Sequence, residues 1–373
     1  MSRRASHRQL PYSAAALHVG FVPLLDAAPL IAARELGFFA EEGLDVVLHR
    51  QIGWGNVRDK LTFGQLHASH ALLGMAPLSV LGAEQFVQPL VAIASLGAGG
   101  NAITLSRRLT AIGVTSAEAL ARLISRRQGK PLVFAHVFSC STHHYLLRDW
   151  LNAAGIDPDA DVHLCVLPPP QMVRQTAEGF LDGFCVGEPW NTLAEQENQG
   201  SIVAATTQIV PDHPEKVLAV SRRWLEGHRD VAERLVRATL RGCAYCAEAS
   251  RAADLARMLS EARYLDVPLE VIARTLTASP AGFRSWAAHT TFPSVTHAVW
   301  LLDRMRDWGR VSHATDFVEA ARASVDTGPY RAAAASLGWT CPEDDAPPMR
   351  LKTGMFHSSR AAAPARESAG APT

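Results

Sequence analysis

Short apolar segments alternate with amphipathic helical segments from residue 17 to residue 221, and this alternation strongly constrains the fold. The pattern predicts two groups of strands, at residues 17–21, 44–49, 67–73 and 91–95, and at residues 132–135, 162–167, 181–186 and 202–205. Alternation of strand and helix is typical of parallel sheets that are covered by helices. The sequence therefore predicts an α/β fold with two sheets.

The two groups of strands divide the chain into two lobes, and the chain returns to the first lobe after it completes the second. The predicted first lobe is discontinuous and comprises residues 17–106 and 217–340, with helices filling its C-terminal part. The second lobe comprises residues 107–216. Residues 1–16 form an N-terminal extension, and residues 342–373, rich in Pro, Ala, Ser and Arg, are predicted to be disordered.

Composition argues against several classes of protein. The 36 basic residues equal the 36 acidic ones, so the basic excess of a nucleic-acid-binding surface is not visible. No apolar stretch approaches the length of a membrane span. The sequence shows no phosphate loop, catalytic triad or paired-carboxylate signature. We therefore predict a globular protein that is not an enzyme and that uses no cofactor, membrane segment or direct nucleic-acid contact.

Cysteine usage and the N-terminus predict a cytoplasmic protein. The six cysteines are scattered through apolar segments, which is typical of free core thiols rather than of a disulfide framework. Cys243 and Cys246 lie in a long helical pattern with no second pair, so two core thiols are favoured over a zinc site. The arginines at Arg3 and Arg4 are not followed by the apolar run of a signal peptide.

Four side chains occupy loop positions that suit a small anion. His143 opens a predicted helix, whose free N–H groups attract anions, and Lys216 precedes an apolar strand. Trp54 lies in a Gly-flanked loop and can donate its indole N–H, while Asn101 ends a Gly-rich turn. Each also has an ordinary structural role, as a helix cap, a solvated lysine, a lid over the core or a turn residue. The residues alone leave both interpretations open.

Residues 168–191, PPPQMVRQTAEGFLDGFCVGEPWN, combine a proline-stiffened loop, a short helix, a buried strand and a second loop. Ligands of open α/β sheets bind at loops that follow the carboxyl ends of strands. Glu188 lies in the second loop, where we interpret it as a cap of the next helix. This stretch is therefore expected to lie beside a binding crevice.

The motifs PPPQM and DGFCVGEPWN, with THH and RDWL upstream, resemble the nitrate-binding branch of the ABC-transporter substrate-binding proteins. That branch includes the nitrate receptor NrtA, the bicarbonate receptor CmpA and the soluble nitrate sensor NasS. The resemblance extends from about His18 to Trp308. It implies a two-lobed, periplasmic-binding-protein-like fold of type II that closes about a hinge. The lobes are then joined near Ser106 and near Val217.

The resemblance also implies a nitrate pocket. The residues that match its lining positions are Trp54, Gly97, Asn101, His143, Pro169 and Lys216. The family's amide residue is usually Gln, so Asn101 is one methylene shorter. The bicarbonate branch carries an acidic residue and a bound calcium at the position of Lys216. Lys216 therefore favours nitrate or nitrite as the ligand and argues against a metal.

Among these relatives the chain looks most similar to NasS. That similarity implies a cytoplasmic nitrate or nitrite sensor that holds a NasT-like ANTAR antiterminator protein and releases it when the anion binds. Two alternatives stay open: the substrate-binding component of a nitrate ABC importer, and an enzyme of the pyrimidine-synthase family that shares the two-lobed fold. The cysteine cluster of that enzyme family is not evident here. Nitrate and nitrite are not distinguished by the sequence.

Overall fold

The computed structural model describes residues 16–83, 86–278, 286 and 288–360. Its first strands are β1 (Leu17–Phe21), β2 (Val46–Arg50), β3 (Ala68–Leu72) and β4 (Leu90–Ser95). Five more follow as β5 (Asn101–Ser106), β6 (Leu132–His136), β7 (Val162–Val166), β8 (Gly183–Gly187) and β9 (Gly200–Ala205). The next strand is β10 (Lys216–Ser221).

These strands form two five-stranded sheets, in the orders β2-β1-β3-β10-β4 and β7-β6-β8-β5-β9. In the first sheet β10 runs antiparallel to both of its neighbours, and in the second β5 does the same. The other pairs within these sheets are parallel. The sheets are therefore mixed rather than parallel as predicted. A parallel neighbour needs a crossover within its own lobe, whereas β5 and β10 each enter from the other lobe.

Helices cover both sheets. The first lobe contributes α1 (Ala28–Glu35), α2 (Phe38–Glu41), α3 (Trp54–Thr62) and α4 (Met75–Val80). The second contributes α5 (Arg107–Thr110), α6 (Ala117–Arg126), α7 (Thr142–Asn152), α8 (Pro169–Ala177) and α9 (Trp190–Gln196). The C-terminal helices are α10 (Arg222–Gly227), α11 (Arg229–Ala247), α12 (Ala252–Ser260), α13 (Leu269–Ala278), α14 (Ala288–Thr291), α15 (Val295–Asp307), α16 (Phe317–Ser324) and α17 (Gly328–Ser336).

The sheet pairings place both lobe crossings a few residues earlier than the sequence indicated. Strand β5 was assigned to the first lobe but pairs with β8 and β9, and β10 begins at Lys216, which was assigned to the second lobe. The crossing segments are therefore residues 96–100 and 206–215. Gly97, Gly99 and Gly100 have φ values of 118°, 72° and 83°, which suit glycine in the first segment.

Residues 342–360 are ordered in the structure, although the sequence predicted disorder from residue 342 onward. They contain a hairpin of β11 (Met349–Leu351) and β12 (Gly354–Phe356). Arg331 on α17 donates to the carbonyl of Pro342 at 2.6 Å and to the carboxylate of Asp345 at 2.7 Å. Charged hydrogen bonds therefore anchor this segment, and burial of Ala346 and Met349 in the core adds to them. Residues 361–373 and 1–15 lie outside the described residues.

The second loop of the 168–191 stretch contacts the first lobe. The amide of Leu25 donates to the carbonyl of Glu188 at 2.8 Å, and the indole of Trp190 donates to the carbonyl of Pro23 at 2.9 Å. Glu188 also accepts from the amide of Thr192 at 3.1 Å, so it caps α9. The VGEPW sequence therefore links the two lobes directly.

Two further predictions concern disulfide bonds and membrane spans. All six cysteines are free. Within the part of the chain that the structure describes, the helices are too short or too polar to span a membrane.

Candidate functional site

Lys216 lies wholly buried at the start of β10, where the second crossing segment joins the first sheet. Its Nζ is 2.8 Å from Oδ2 of Asp26 and 2.6 Å from Oε2 of Glu215. Oδ1 of Asn101 and Nε2 of His143 both lie 3.3 Å from the same nitrogen. We call these five residues the Lys216 cluster. The ammonium thus contacts side chains from both lobes.

Local structure explains where each member of the cluster comes from. Asp26 lies in the short 3₁₀ helix Leu25–Ala27 that follows β1, and Asn101 opens β5 of the second sheet. His143 is in the first turn of α7, which Ser141 caps by accepting from the amide of His144 at 3.2 Å. The elements of both lobes therefore converge at the carboxyl end of β1 and the amino end of α7.

The charges of the cluster follow from its contacts. Burial raises the pKa of Asp26 and of Glu215, but Lys216 and the neighbouring histidines together outweigh it, so the pKa of Asp26 is lowered and that of Glu215 falls to about 2. Burial lowers the pKa of Lys216, but the two carboxylates more than compensate and raise it. Burial and then the charge of Lys216 lower the pKa of His143 to about 3. At neutral pH the cluster holds one ammonium, two carboxylates and a neutral imidazole.

Two more histidines contact the outer oxygens of the carboxylates. Nε2 of His70 is 2.7 Å from Oδ1 of Asp26, and Nδ1 of His213 is 2.8 Å from Oε1 of Glu215. Asn101 also donates to Oε1 of Glu215. The carboxylates are therefore fixed on both sides, which holds the ammonium between them.

Two buried N–H groups have no hydrogen-bond partner among the described residues. They are Nδ1 of His143, within the cluster, and Nε1 of Trp54, beside it. Lys216 can only donate to Nε2 of His143, so the neutral imidazole carries its proton on Nδ1. The ring of Trp54 lies 5.2 Å from that of His70, which bonds Asp26. A buried donor without an acceptor costs about 1–3 kcal/mol, so both groups favour an incoming acceptor atom.

The remaining predicted site residues lie at different distances from the cluster. Pro169 is buried in the first turn of α8. The residue before it, Pro168, lies near Gly53, since a Cβ built on Gly53 would lie 3.7 Å from Cγ of Pro168. Gly97 lies in the first crossing segment and lines a separate cavity of about 1120 Å³. The structure thus brings Asn101, His143 and Lys216 into contact and places Trp54 against His70, which bonds Asp26.

Sequence reasoning missed the acidic and histidine partners of Lys216. Glu215 and His213 lie in the same HPEK motif as Lys216, so their proximity in the chain was an available signal. Asp26 and His70 gave no such signal, because they lie far from Lys216 in the chain and only the fold brings them near it. The charge of Lys216 is therefore already paired with two carboxylates of the protein, which the sequence did not indicate.

No group of three or more His, Cys, Asp or Glu side chains in the described ranges is arranged to hold a metal ion. Within the cluster the ammonium of Lys216 itself lies between the two carboxylates. Cys243 and Cys246 are both buried on α11, where burial raises the pKa of each thiol. Their environment is that of core thiols rather than of metal ligands.

The two mixed sheets, joined by two crossing segments around a buried polar cluster, define a periplasmic-binding-protein-like fold. The chain aligns with the crystal structure of the periplasmic nitrate-binding protein NrtA from Synechocystis at a TM-score of 0.86 and 27% identity, over 93% of this chain and 96% of that one. The sequence profile of the NMT1-like family matches residues 11–260. The chain belongs to the NMT1-like family, within its NrtA/CmpA-like group of ABC substrate-binding proteins.

Two curated relatives illustrate the range of the family. The chain is 32% identical to the nitrate/nitrite binding protein NrtA of Synechococcus elongatus over 321 residues, which is 80% of this chain and 72% of that protein. It is 35% identical over 336 residues to the bicarbonate transport ATP-binding protein CmpC of Synechocystis, but spans only 50% of that protein's length. The predicted fold and family are therefore confirmed. Particular closeness to the sensor NasS stays a prediction.

Proposed function

We propose that this protein binds nitrate or nitrite in the crevice between its two lobes and releases the anion unchanged. The observation that carries the proposal is the pair of unpartnered N–H donors, on Trp54 and His143, beside the buried ammonium of Lys216. Nitrate and nitrite only accept hydrogen bonds, so they match a site whose unpaired groups are donors. The nitrate/nitrite binding proteins among the relatives support the same ligand.

The same geometry disfavours bicarbonate. Bicarbonate carries an O–H group that needs an acceptor when it is buried. Each oxygen of Asp26 and Glu215 already accepts from at least one protein donor, namely Lys216, Asn101 or a histidine. A ligand that donates would therefore have to share an oxygen that a protein donor already contacts, whereas a pure acceptor would not.

Binding is coupled to movement of the lobes. The members of the Lys216 cluster and Trp54 are all buried, so the anion reaches them only when the lobes separate. Closure is favoured by the anion to the extent that it binds the closed form more tightly than the open one. The cross-lobe bonds of Leu25 and Trp190 then add to the stability of the closed form.

Substitution of Trp54 by Phe tests the ligand site. Phe keeps a large aromatic ring but removes the N–H, so we expect the Kd for nitrate to rise roughly tenfold or more, as for loss of a hydrogen bond to a charged acceptor. Trp224→Phe is the matched control, because Trp224 lies on α10 and stacks on His228. Calorimetry with nitrate, nitrite and bicarbonate gives the readout. A wild type that binds neither nitrate nor nitrite, or binds bicarbonate more tightly, contradicts the proposal.

For the biological role, we propose that the chain acts as the substrate-binding component of a nitrate ABC importer. The support is the family, whose matched members include nitrate/nitrite binding proteins and ATP-binding proteins of nitrate import and bicarbonate transport. Deletion of the gene is then expected to abolish high-affinity nitrate uptake by intact cells. Normal uptake in the deletion strain argues against this role without touching the binding site.

A second candidate is a cytoplasmic nitrate sensor that controls a NasT-like ANTAR antiterminator. The observation in its favour is the six free thiols, four of them buried, which suit a reducing compartment. This role predicts a protein partner and no RNA binding by the chain itself. Cell fractionation separates the two roles, and co-purification with and without millimolar nitrate tests the second. A complex that nitrate does not alter contradicts the sensor role.

A further inference from the structure

His213 is wholly buried in the second crossing segment and contacts an oxygen through each ring nitrogen. Nδ1 lies 2.8 Å from Oε1 of Glu215, and Nε2 lies 2.8 Å from Oγ1 of Thr206. Both distances are those of good hydrogen bonds. The protonation state of His213 therefore depends on what these two oxygens can do.

Neither oxygen can donate to His213. The hydroxyl of Thr206 has a single hydrogen, and it donates this to the carbonyl of Asn101 at 2.9 Å. A carbonyl oxygen only accepts, so Oγ1 of Thr206 must accept from Nε2 of His213. The ionised carboxylate of Glu215 likewise accepts from Nδ1. Both ring nitrogens donate, which makes His213 an imidazolium.

The histidine on the other carboxylate differs. Nδ1 of His70 accepts from the amide of Val22 at 3.3 Å, and Nε2 donates to Asp26, so His70 is the neutral tautomer. Lys216 and His213 therefore balance Asp26 and Glu215, and the site as a whole is formally neutral. The other titratable groups that face His213 are Asp212 beside it in the chain, His143 on α7 and His297 on α15.

We propose that His213 determines whether the crevice accepts an anion, because its positive charge cancels that of Glu215. This inference rests on the proposed function. Without the imidazolium, Lys216, Asp26 and Glu215 together would carry a net negative charge. That charge would repel a monovalent anion that enters the buried site. At an effective dielectric constant near 20, the interaction between the anion and one unit charge of the site is about 1–3 kcal/mol. His213 is thus a positioning residue that acts on the anion through the charge of the cluster.

A charge-balance experiment tests this role. We expect His213→Gln to raise the Kd for nitrate at least about tenfold, because one positive charge is lost. The double variant with His213→Gln and Glu215→Gln restores a neutral cluster, so it should recover most of the affinity. His163→Gln is the control, since His163 is exposed on β7. Binding is measured by calorimetry, and folding of each variant by circular dichroism.

The double variant also distinguishes charge from structure. It lacks both partners of the contact between His213 and Glu215, so a purely structural role of that contact predicts no recovery of affinity.

The outcomes separate the two proposals. A wild type that binds no nitrate contradicts the proposed function itself. If the wild type binds nitrate but His213→Gln binds equally well, the role of His213 is wrong. It is also wrong if the double variant binds as weakly as the single one.

Discussion

Lys216 shows how a buried charge is tolerated in a closed crevice. An isolated ammonium in a protein interior is unstable, and even a buried ion pair gives little net stability unless its remaining bonds are satisfied. Here both carboxylates accept from a histidine as well as from the ammonium. The arrangement therefore fixes the position of the charge more than it stabilises the fold.

Gly187, the glycine of the VGEP motif, approaches the cluster closely. A Cβ at this position would lie 3.2 Å from Oδ1 of Asn101 and 3.6 Å from Nζ of Lys216. We expect Gly187→Ala to displace Oδ1 of Asn101, which contacts Lys216, and to raise the Kd for nitrate roughly tenfold, with only a small loss of unfolding free energy. Calorimetry and urea denaturation measure the two effects.

Gly183 on the same strand is the matched control. A Cβ there would lie 2.8 Å from the carbonyl of Thr104 and 2.8 Å from the ring of Phe134, away from the cluster. Gly183→Ala should therefore lower the unfolding free energy by about 1–3 kcal/mol and leave the Kd of the folded protein unchanged. An unchanged Kd in Gly187→Ala contradicts the close approach that the structure shows.

His136 and His144 form a second histidine pair, with 3.0 Å between Nε2 and Nδ1. Burial is the main cause that lowers the pKa of His136 to about 4 and of His144 to about 2. Below the ordinary histidine pKa of about 6.5, the unfolded chain binds protons that the folded chain does not. We therefore expect the unfolding free energy to fall as the pH drops from about 6.5 to about 4, by up to about 1.4 kcal/mol per pH unit for each histidine.

Urea denaturation at several pH values measures that slope. His144→Gln should reduce the slope by up to about 1.4 kcal/mol per pH unit, because one of the buried histidines that take up a proton on unfolding is removed. His163→Gln, at an exposed position, should leave the slope unchanged. Equal slopes in the wild type and in His144→Gln would show that the pair does not control acid stability.

Packing between helices α1 and α11 holds the first lobe together. A Cβ on Gly242 of α11 would lie 2.1 Å from the carbonyl oxygen of Pro29 on α1, so the two backbones meet directly. We expect Gly242→Ala to separate the helices and to lower the unfolding free energy by about 1–3 kcal/mol or more. Thermal and urea denaturation provide the measurement.

Gly55 on α3 gives the opposite expectation for the same substitution. No atom lies within 4 Å of its Cβ position, so Gly55→Ala should stabilise the protein by up to about 1 kcal/mol through helix propensity. If both alanine variants change stability alike, close packing at Gly242 is not the cause of its effect.

Gly74 of the first lobe lies directly against the second lobe. A Cβ on Gly74 would lie 2.1 Å from the carbonyl oxygen of Cys140, which belongs to the loop before α7. The overlap crosses the crevice, so opening the lobes relieves it without unfolding either one. We expect Gly74→Ala to raise the Kd for nitrate at least about tenfold, since the anion must then work against the clash.

Small-angle X-ray scattering tests the same variant directly. The radius of gyration of Gly74→Ala should stay at the open value when nitrate is added, whereas the wild type should contract. Gly227→Ala on α10 is the control, because no atom lies within 4 Å of its Cβ position. Normal contraction of Gly74→Ala would mean that the described lobe contact is not required for closure.

The sequence by itself indicated the succession of strands along the chain and the two-lobed architecture, and it singled out Asn101, His143 and Lys216, three of the five members of the Lys216 cluster. Periodic apolar segments report which face of each element is buried, and that information is local to the segment. The motifs around Asn101, His143 and Lys216 are likewise short stretches of chain. Such features can be interpreted before any contact between distant residues is known.

Only the tertiary structure decided the partners of these elements. Strand β5 joined the second sheet and β10 the first because pairing depends on neighbours that are far away in the chain. Residues 342–360 are ordered through Arg331, which their own composition does not reveal. Asp26 lies 190 positions before Lys216 in the numbering, yet it sets the charge of that lysine's surroundings. Electrostatic interactions follow distance in space, and the linear sequence does not contain that distance.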